Sequence, residues 1–315
     1  MWSRWHACCL MLMALVTGCT VLPERPWPMA GGGAVELADV PFFPQQAYQC
    51  GPAALATVLV ASGVDITPDD LVPYVWLPER RGSLQPELLA QTRRHGRIPF
   101  LLADGPSELM AELEAGRPVL VLQNLGFDWA PVWHYAVVIG HDGAGNLVLR
   151  SGREERHVVA AATFARTWRR GGYWAFVVLV PGELPVASDV ARYAQAVSAF
   201  ARVAPVEQVI EAWRAGIGRW PGAAVLQIAL GNTLHAAGDA AGAVVTFREA
   251  IARDPAHGVA WNNLALALAD LGAWDEAEAA ARRAVELGGQ FVHEFEDTLA
   301  RIRCRRDETC VRETP

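Results

Sequence analysis

The chain has 315 residues and no lysine: all 27 of its Lys and Arg positions are arginine, against 34 acidic residues, for a formal net charge of −7. A basic face broad enough for nucleic acid is therefore not expected, and no nucleic-acid partner is assigned. No CxxC or HExxH spacing occurs, so no metal site is expected. There is no phosphate-binding glycine loop either. Gly31-Gly32-Gly33 lacks the flanking strand and helix and reads as a flexible stretch, and no cofactor is expected. Cysteine is sparse, with six residues in all: Cys8, Cys9, Cys19, Cys50, Cys304 and Cys310. The apolar run from Ala7 to Val16 falls short of the roughly 20 residues that cross a bilayer.

What is present at the front is an export signal. Arg4 supplies a basic start, and Ala7 to Val16 has the length of a signal-peptide core. Val16-Thr17-Gly18-Cys19 resembles the lipobox of bacterial lipoproteins. That resemblance implies removal of residues 1–18 and acylation of Cys19, which would fix the chain to a membrane. Thr20 is not the aspartate associated with inner-membrane retention, which favours the periplasmic side of the outer membrane. Residues 19–35, rich in Pro and Gly, read as a tether. In an oxidising compartment Cys304 and Cys310 are expected to pair as a disulfide.

Beyond the tether the chain divides by periodicity. Residues 36–183 mix helices and strands. Cys50 to Ser62 carries small and apolar residues at helical spacing; Thr67-Pro68, Ser83 to His95 and Ser107 to Ala115 open or form further helices, with Ser107 as a cap. Pro118–Gln123, His134–Ile139, Asn146–Arg150 and Tyr173–Val180 are β-rich runs separated by turns such as Asp142-Gly143. Helices first and a sheet afterwards predict an α+β domain. Residues 190–303 are helical and repeat with a period of about 34 residues, resembling the tetratricopeptide repeat. Leu230, Gly231, Ala243, Phe247, Ala250 and Pro255 mark one unit, and Leu264, Ala265, Ala277, Ala281 and Ala284 the next. The units span 190–223, which is degenerate, then 224–257 and 258–291; a capping helix and the tail 304–315 follow. Such arrays offer a groove to peptides or partner proteins, or simply pack on their neighbour.

The chemistry concentrates in Gln45-Gln46-Ala47-Tyr48-Gln49-Cys50-Gly51-Pro52. A cysteine at a helix start faces free N–H groups and the positive end of the dipole, both of which favour a thiolate. His134, opening the run His134-Tyr-Ala-Val-Val-Ile-Gly140, is the candidate base. The two segments resemble the bacteriocin-processing (double-glycine leader) cysteine peptidases, a papain-like group, over about residues 36–180. Lipobox and repeats together resemble an exported subgroup of these enzymes. The resemblance implies a papain-like peptidase domain followed by an all-α tetratricopeptide-repeat solenoid. It makes Cys50 the nucleophile, with its pKa lowered by the helix and by an imidazolium. His134 becomes general base and acid, and Gln45 or Gln46 the oxyanion donor. The family carries an aspartate after the histidine strand to orient the ring; here Ser151 occupies that place, with Asp142 and Asn146 as lesser candidates. His95, His141 and His157 receive no role. The expected activity is cleavage of a peptide or protein substrate. The alternative is a peptidase-like scaffold that binds peptides without cutting them, and a weaker one is acyl or amide transfer.

Overall fold

The computed structural model describes residues 27, 33–45, 49–80, 82–103 and 105–306. In chain order the first part comprises β1 (Val35–Glu36), α1 (Cys50–Ala61), α2 (Pro68–Val75), α3 (Gln85–Arg94), β2 (Ile98–Leu101), α4 (Pro106–Glu114), β3 (Val119–Asn124), β4 (Trp133–His141), β5 (Asn146–Ser151), β6 (Glu154–Ala160), α5 (Ala161–Arg170) and β7 (Ala175–Leu179). The strands form one antiparallel sheet in the order β2-β7-β3-β4-β5-β6, with β1 added beside β4. β2, β6 and α5 carry no clear signal in the sequence, and α4 starts after Gly105, with the expected cap Ser107 inside the helix. Pro106 explains that shift, because its fixed φ suits the first helical turn.

β3 and β7 are buried along their whole length, as strands covered on both faces must be. On one face Tyr135, Val137 and Ile139 of β4 pack with Leu55, Val58 and Leu59 of α1. On the other, Ala136 and Val138 pack with Phe164 and Trp168 of α5. The alternation of the strand thus assigns its residues to two cores. Gly140 ends the apolar run because β1 passes against it: a Cβ there would lie 2.0 Å from the Val35 carbonyl oxygen.

The second part stacks helices in pairs: α6 (Val190–Phe200) with α7 (Val206–Arg219), α8 (Ala224–Ala236) with α9 (Ala240–Arg253), α10 (Gly258–Asp270) with α11 (Trp274–Leu287), and then α12 (Val292–Arg306). Small residues at the crossings, Ala243, Ala250, Ala277, Ala281 and Ala284, are fully buried and let the helices approach. The stack is not a separate body. α6 docks on edge strand β2: Arg192 grips Glu108 through two bonds of 2.7 and 2.9 Å, donates to the Leu101 carbonyl at 2.9 Å and lies over the Phe100 ring. A single buried cluster runs from Phe100 and Val121 in the sheet through Tyr193 and Phe200 to Phe247 and Ile302. Cys304 is disulfide-bonded; its expected partner Cys310 lies outside the described residues, as does Cys19. Among the described residues no helix is long and apolar enough to cross a membrane.

Candidate active site

α1 starts at Cys50, and among the described residues no side chain caps its N-terminus. The Gln49 side chain does not cap it and its first turn holds no acidic residue, so free N–H groups and the dipole remain directed at the sulfur. Gly51 is dictated by the facing wall, because a Cβ there would come 2.2 Å from Ser83 Oγ. Cys50 is a free thiol and partly buried. Burial pushes its pKa up, against the pull of the Tyr135, Gly51 and Cys50 backbone N–H groups. The Tyr135 N–H belongs to the peptide bond that leaves His134, and Cys50 and His134 line the same cleft at the start of β4. Here β4 is paired on one side only: His134 faces Gln123 of β3, whereas pairing with β5 begins at Val137. The sulfur sits at this open edge.

His134 Nε2 lies 2.8 Å from Ser151 Oγ. Ser151 therefore stands where the expected carboxylate would, on the Nε2 side of the ring. With Nε2–H donating to the hydroxyl, Nδ1 carries the lone pair of the neutral ring. Burial first, and the nearby His157 second, drive the His134 pKa down to about 4. His157, given no role from the sequence, is thus part of the electrostatic surroundings of the site, and its own ring is bonded to Glu154 at 2.9 Å. Both shifts run against the expected thiolate–imidazolium pair: burial raises the Cys50 pKa and lowers that of His134. Desolvation penalises each charged form, and the ring's partner is a hydroxyl that supplies a dipole without a countercharge. The lesser candidates are occupied elsewhere. Asp142 accepts from Asn146 Nδ2 at 2.6 Å and from two backbone N–H groups, closing the β4–β5 turn. His141 is buried at the far end of β4.

The approach to α1 is tied to the same corner. The Gln45 N–H donates to the carbonyl of Gly152, the residue after Ser151, at 2.9 Å. Arg150, only 7% exposed, donates to the Val40 and Ala38 carbonyls on one side and to Glu155 on the other. These bonds hold the 38–45 segment over the end of the sheet. Gln45, Cys50 and His134 line one cleft of about 780 Å³, together with Ser83, Gln85 and Trp133. Gln46 lies outside the described residues. Gln85, a second amide on the cleft wall, was not singled out from the sequence: it falls in a helix start with no cysteine beside it in the chain.

Comparison with known proteins agrees with the geometry at the level of domains. Residues 37–175 match the model of the Peptidase_C39 like family, and residues 234–302 match a tetratricopeptide repeat model. The chain carries a Peptidase_C39-like domain followed by tetratricopeptide repeats. No curated protein matches it. Among solved structures, the first TPR of Spaghetti (RPAP3) bound to an HSP90 peptide is 18% identical, with a TM-score of 0.34, covering 37% of this chain and 91% of its own. The TPR2B domain of yeast Sti1, in a complex with pHsp70, is 16% identical, with a TM-score of 0.35, covering 37% and 98%. The Sgt2 TPR domain from Aspergillus fumigatus is 16% identical, with a TM-score of 0.36, covering 41% and 92%.

Proposed function

We propose that this chain is an exported, membrane-anchored cysteine peptidase. The observation that carries the reading is the meeting of the Cys50 sulfur, at an uncapped helix start, with the Tyr135 N–H beside a His134 ring braced by Ser151. Substrate would lie in the cleft with its scissile carbonyl over Cys50. His134 Nδ1 takes the thiol proton as the sulfur bonds to the carbonyl carbon, which gives a tetrahedral oxyanion. The Cys50 N–H and the Gln45 amide, which lines the cleft, would donate to that oxygen. The imidazolium then returns its proton to the leaving amine, and water, deprotonated by the same ring, releases the acid from the thioester. Because burial disfavours both charged forms, proton transfer accompanies attack and does not precede it.

The family resemblance directs the choice of substrate to small residues before the cut, Gly-Gly among them, and the lipobox directs location to the periplasmic face of the outer membrane, through an acylated Cys19. The repeats would hold the substrate or a partner protein. The competing reading, a non-cutting scaffold, draws on the serine at position 151 and on the burial that disfavours both charged forms. A peptidyl Gly-Gly acyloxymethyl ketone separates the two. The peptidase reading expects a covalent adduct on Cys50 that is lost in His134→Ala. No adduct, with the peptide still bound reversibly, would establish the scaffold.

A further inference from the structure

The connection between β3 and β4 exposes five large apolar side chains: Leu125, Phe127, Trp129, Val132 and Trp133, of which Trp129 is 84% accessible. It is braced, so this exposure does not come from a loose loop. Leu125 N–H donates to the Val132 carbonyl at 2.8 Å, and Phe127 and Ala130 exchange bonds of 3.1 Å. The Asn124 side chain, 2% exposed, accepts from Gly126 N–H at 3.0 Å and Val132 N–H at 2.9 Å. Phe127 and Trp129 stack with centroids 5.7 Å apart and planes 7° from parallel. A rigid apolar surface held out in water marks a contact site.

Two further observations point to the occupant. The first is charge. In a chain of net −7, α5 has three arginines and no acidic residue. Arg166 and Arg169 are exposed, and Arg170 binds the Asn124 carbonyl at 3.2 and 3.0 Å, at the base of the loop. The second is where the N-terminal segment meets the fold. Trp27 packs on α5 against Phe164, edge to face at 5.7 Å, and against Trp168 at 6.3 Å. An extended chain spans at most about 3.5 Å per residue, which puts Cys19 within about 28 Å of that helix.

We infer that the 125–133 loop and the arginine side of α5 form a membrane-docking face, with Phe127 and Trp129 seated at the bilayer interface and Arg166 and Arg169 on anionic headgroups. Aromatic rings flanked by arginine suit that boundary. The contact is made by side chains and does not depend on catalysis at Cys50, while the choice of a membrane as the occupant rests on the proposed anchor at Cys19. Val132 and Trp133 belong both to this face and to the cleft, so docking sets the cleft mouth beside the bilayer surface.

The test uses the full chain with vesicles of phosphatidylcholine alone or with about one third phosphatidylglycerol, some carrying bromolipid. On the anionic vesicles bromolipid quenches part of the tryptophan emission of the wild type, and Trp129→Phe removes that part while the protein still binds. Phe127→Ser with Trp129→Ser lowers binding at least threefold; Arg166→Gln with Arg169→Gln lowers it on anionic vesicles only. These lipid readouts hold whether or not Cys50 reacts with the peptidyl probe. Equal vesicle binding in all variants and no quenching from Trp129 would overturn the inference. So would a serine double variant that leaves vesicle binding intact but raises KM for a cleaved peptide, since the loop would then belong to the substrate.

Discussion

The two halves of this chain treat ionisable groups in opposite ways. In the repeats, a charge kept from water finds opposite charges: Glu278, 7% exposed, is ringed by Arg303, Arg282 and Arg306; the bonds from Arg303 and Arg282 hold its pKa down to about 2, and those from Arg303 and Arg306 tie α11 to α12. In the peptidase-like half, Cys50 and His134 are held partly out of water with their charged forms disfavoured, and Arg150 is buried on backbone carbonyls. The first arrangement stabilises a stack. The second makes a corner whose groups are costly to charge, a common mark of a reactive site.

The comparison breaks most sharply at Cys50. Cys50→Ala abolishes covalent labelling and cleavage, and His134→Ala lowers the cleavage rate by about 10³-fold, the usual worth of a positioned acid–base group; neither change shifts Tm as a core deletion would. Arg150→Ala is next. It leaves buried carbonyls unpaired at Val40 and Ala38 and should cost about 3 kcal/mol in a urea titration. Ser151 sharpens the electrostatic account. Ser151→Ala loses one hydrogen bond on the ring and about 10-fold in rate, whereas Ser151→Asp supplies the missing countercharge, raises the His134 pKa and increases activity. The smallest effect lies in the repeats. Glu278 is lowered from the usual carboxylate value in the folded state, so its stabilisation is present above about pH 4.5 and lost as pH falls toward about 2. Glu278→Gln should reduce Tm at pH 7, and the difference from wild type should close by pH 2.

The same contrast explains what could be read from the chain. In the repeats most packing is between helices close in the chain, so a recurring pattern of Leu, Gly, Ala and Phe marks the repeat units in the sequence. In the sheet the contacts are long-range. β2 and β6 are short or mixed in polarity and pass unnoticed until β7 and β5 are seen to pair with them. Cys50, His134 and Ser151 were legible because motif and spacing mark them. Arg150, Gln85 and the nearness of His157 to His134 were not, since each depends on which strands lie side by side. The burial that pushes Cys50 up and His134 down was not legible either: helix dipole and histidine are visible in a sequence, but the extent of burial that opposes them is not.

The most direct measurement is the pH profile of Cys50 alkylation by iodoacetamide, followed at that residue by mass spectrometry. With burial disfavouring both charged forms, the wild-type rate should climb with pH through the alkaline range and show no plateau between pH 5 and 8. In Ser151→Asp the rise should move to lower pH. A wild-type plateau already established at pH 5 and abolished by His134→Ala would mean a preformed thiolate–imidazolium pair, and would contradict the account.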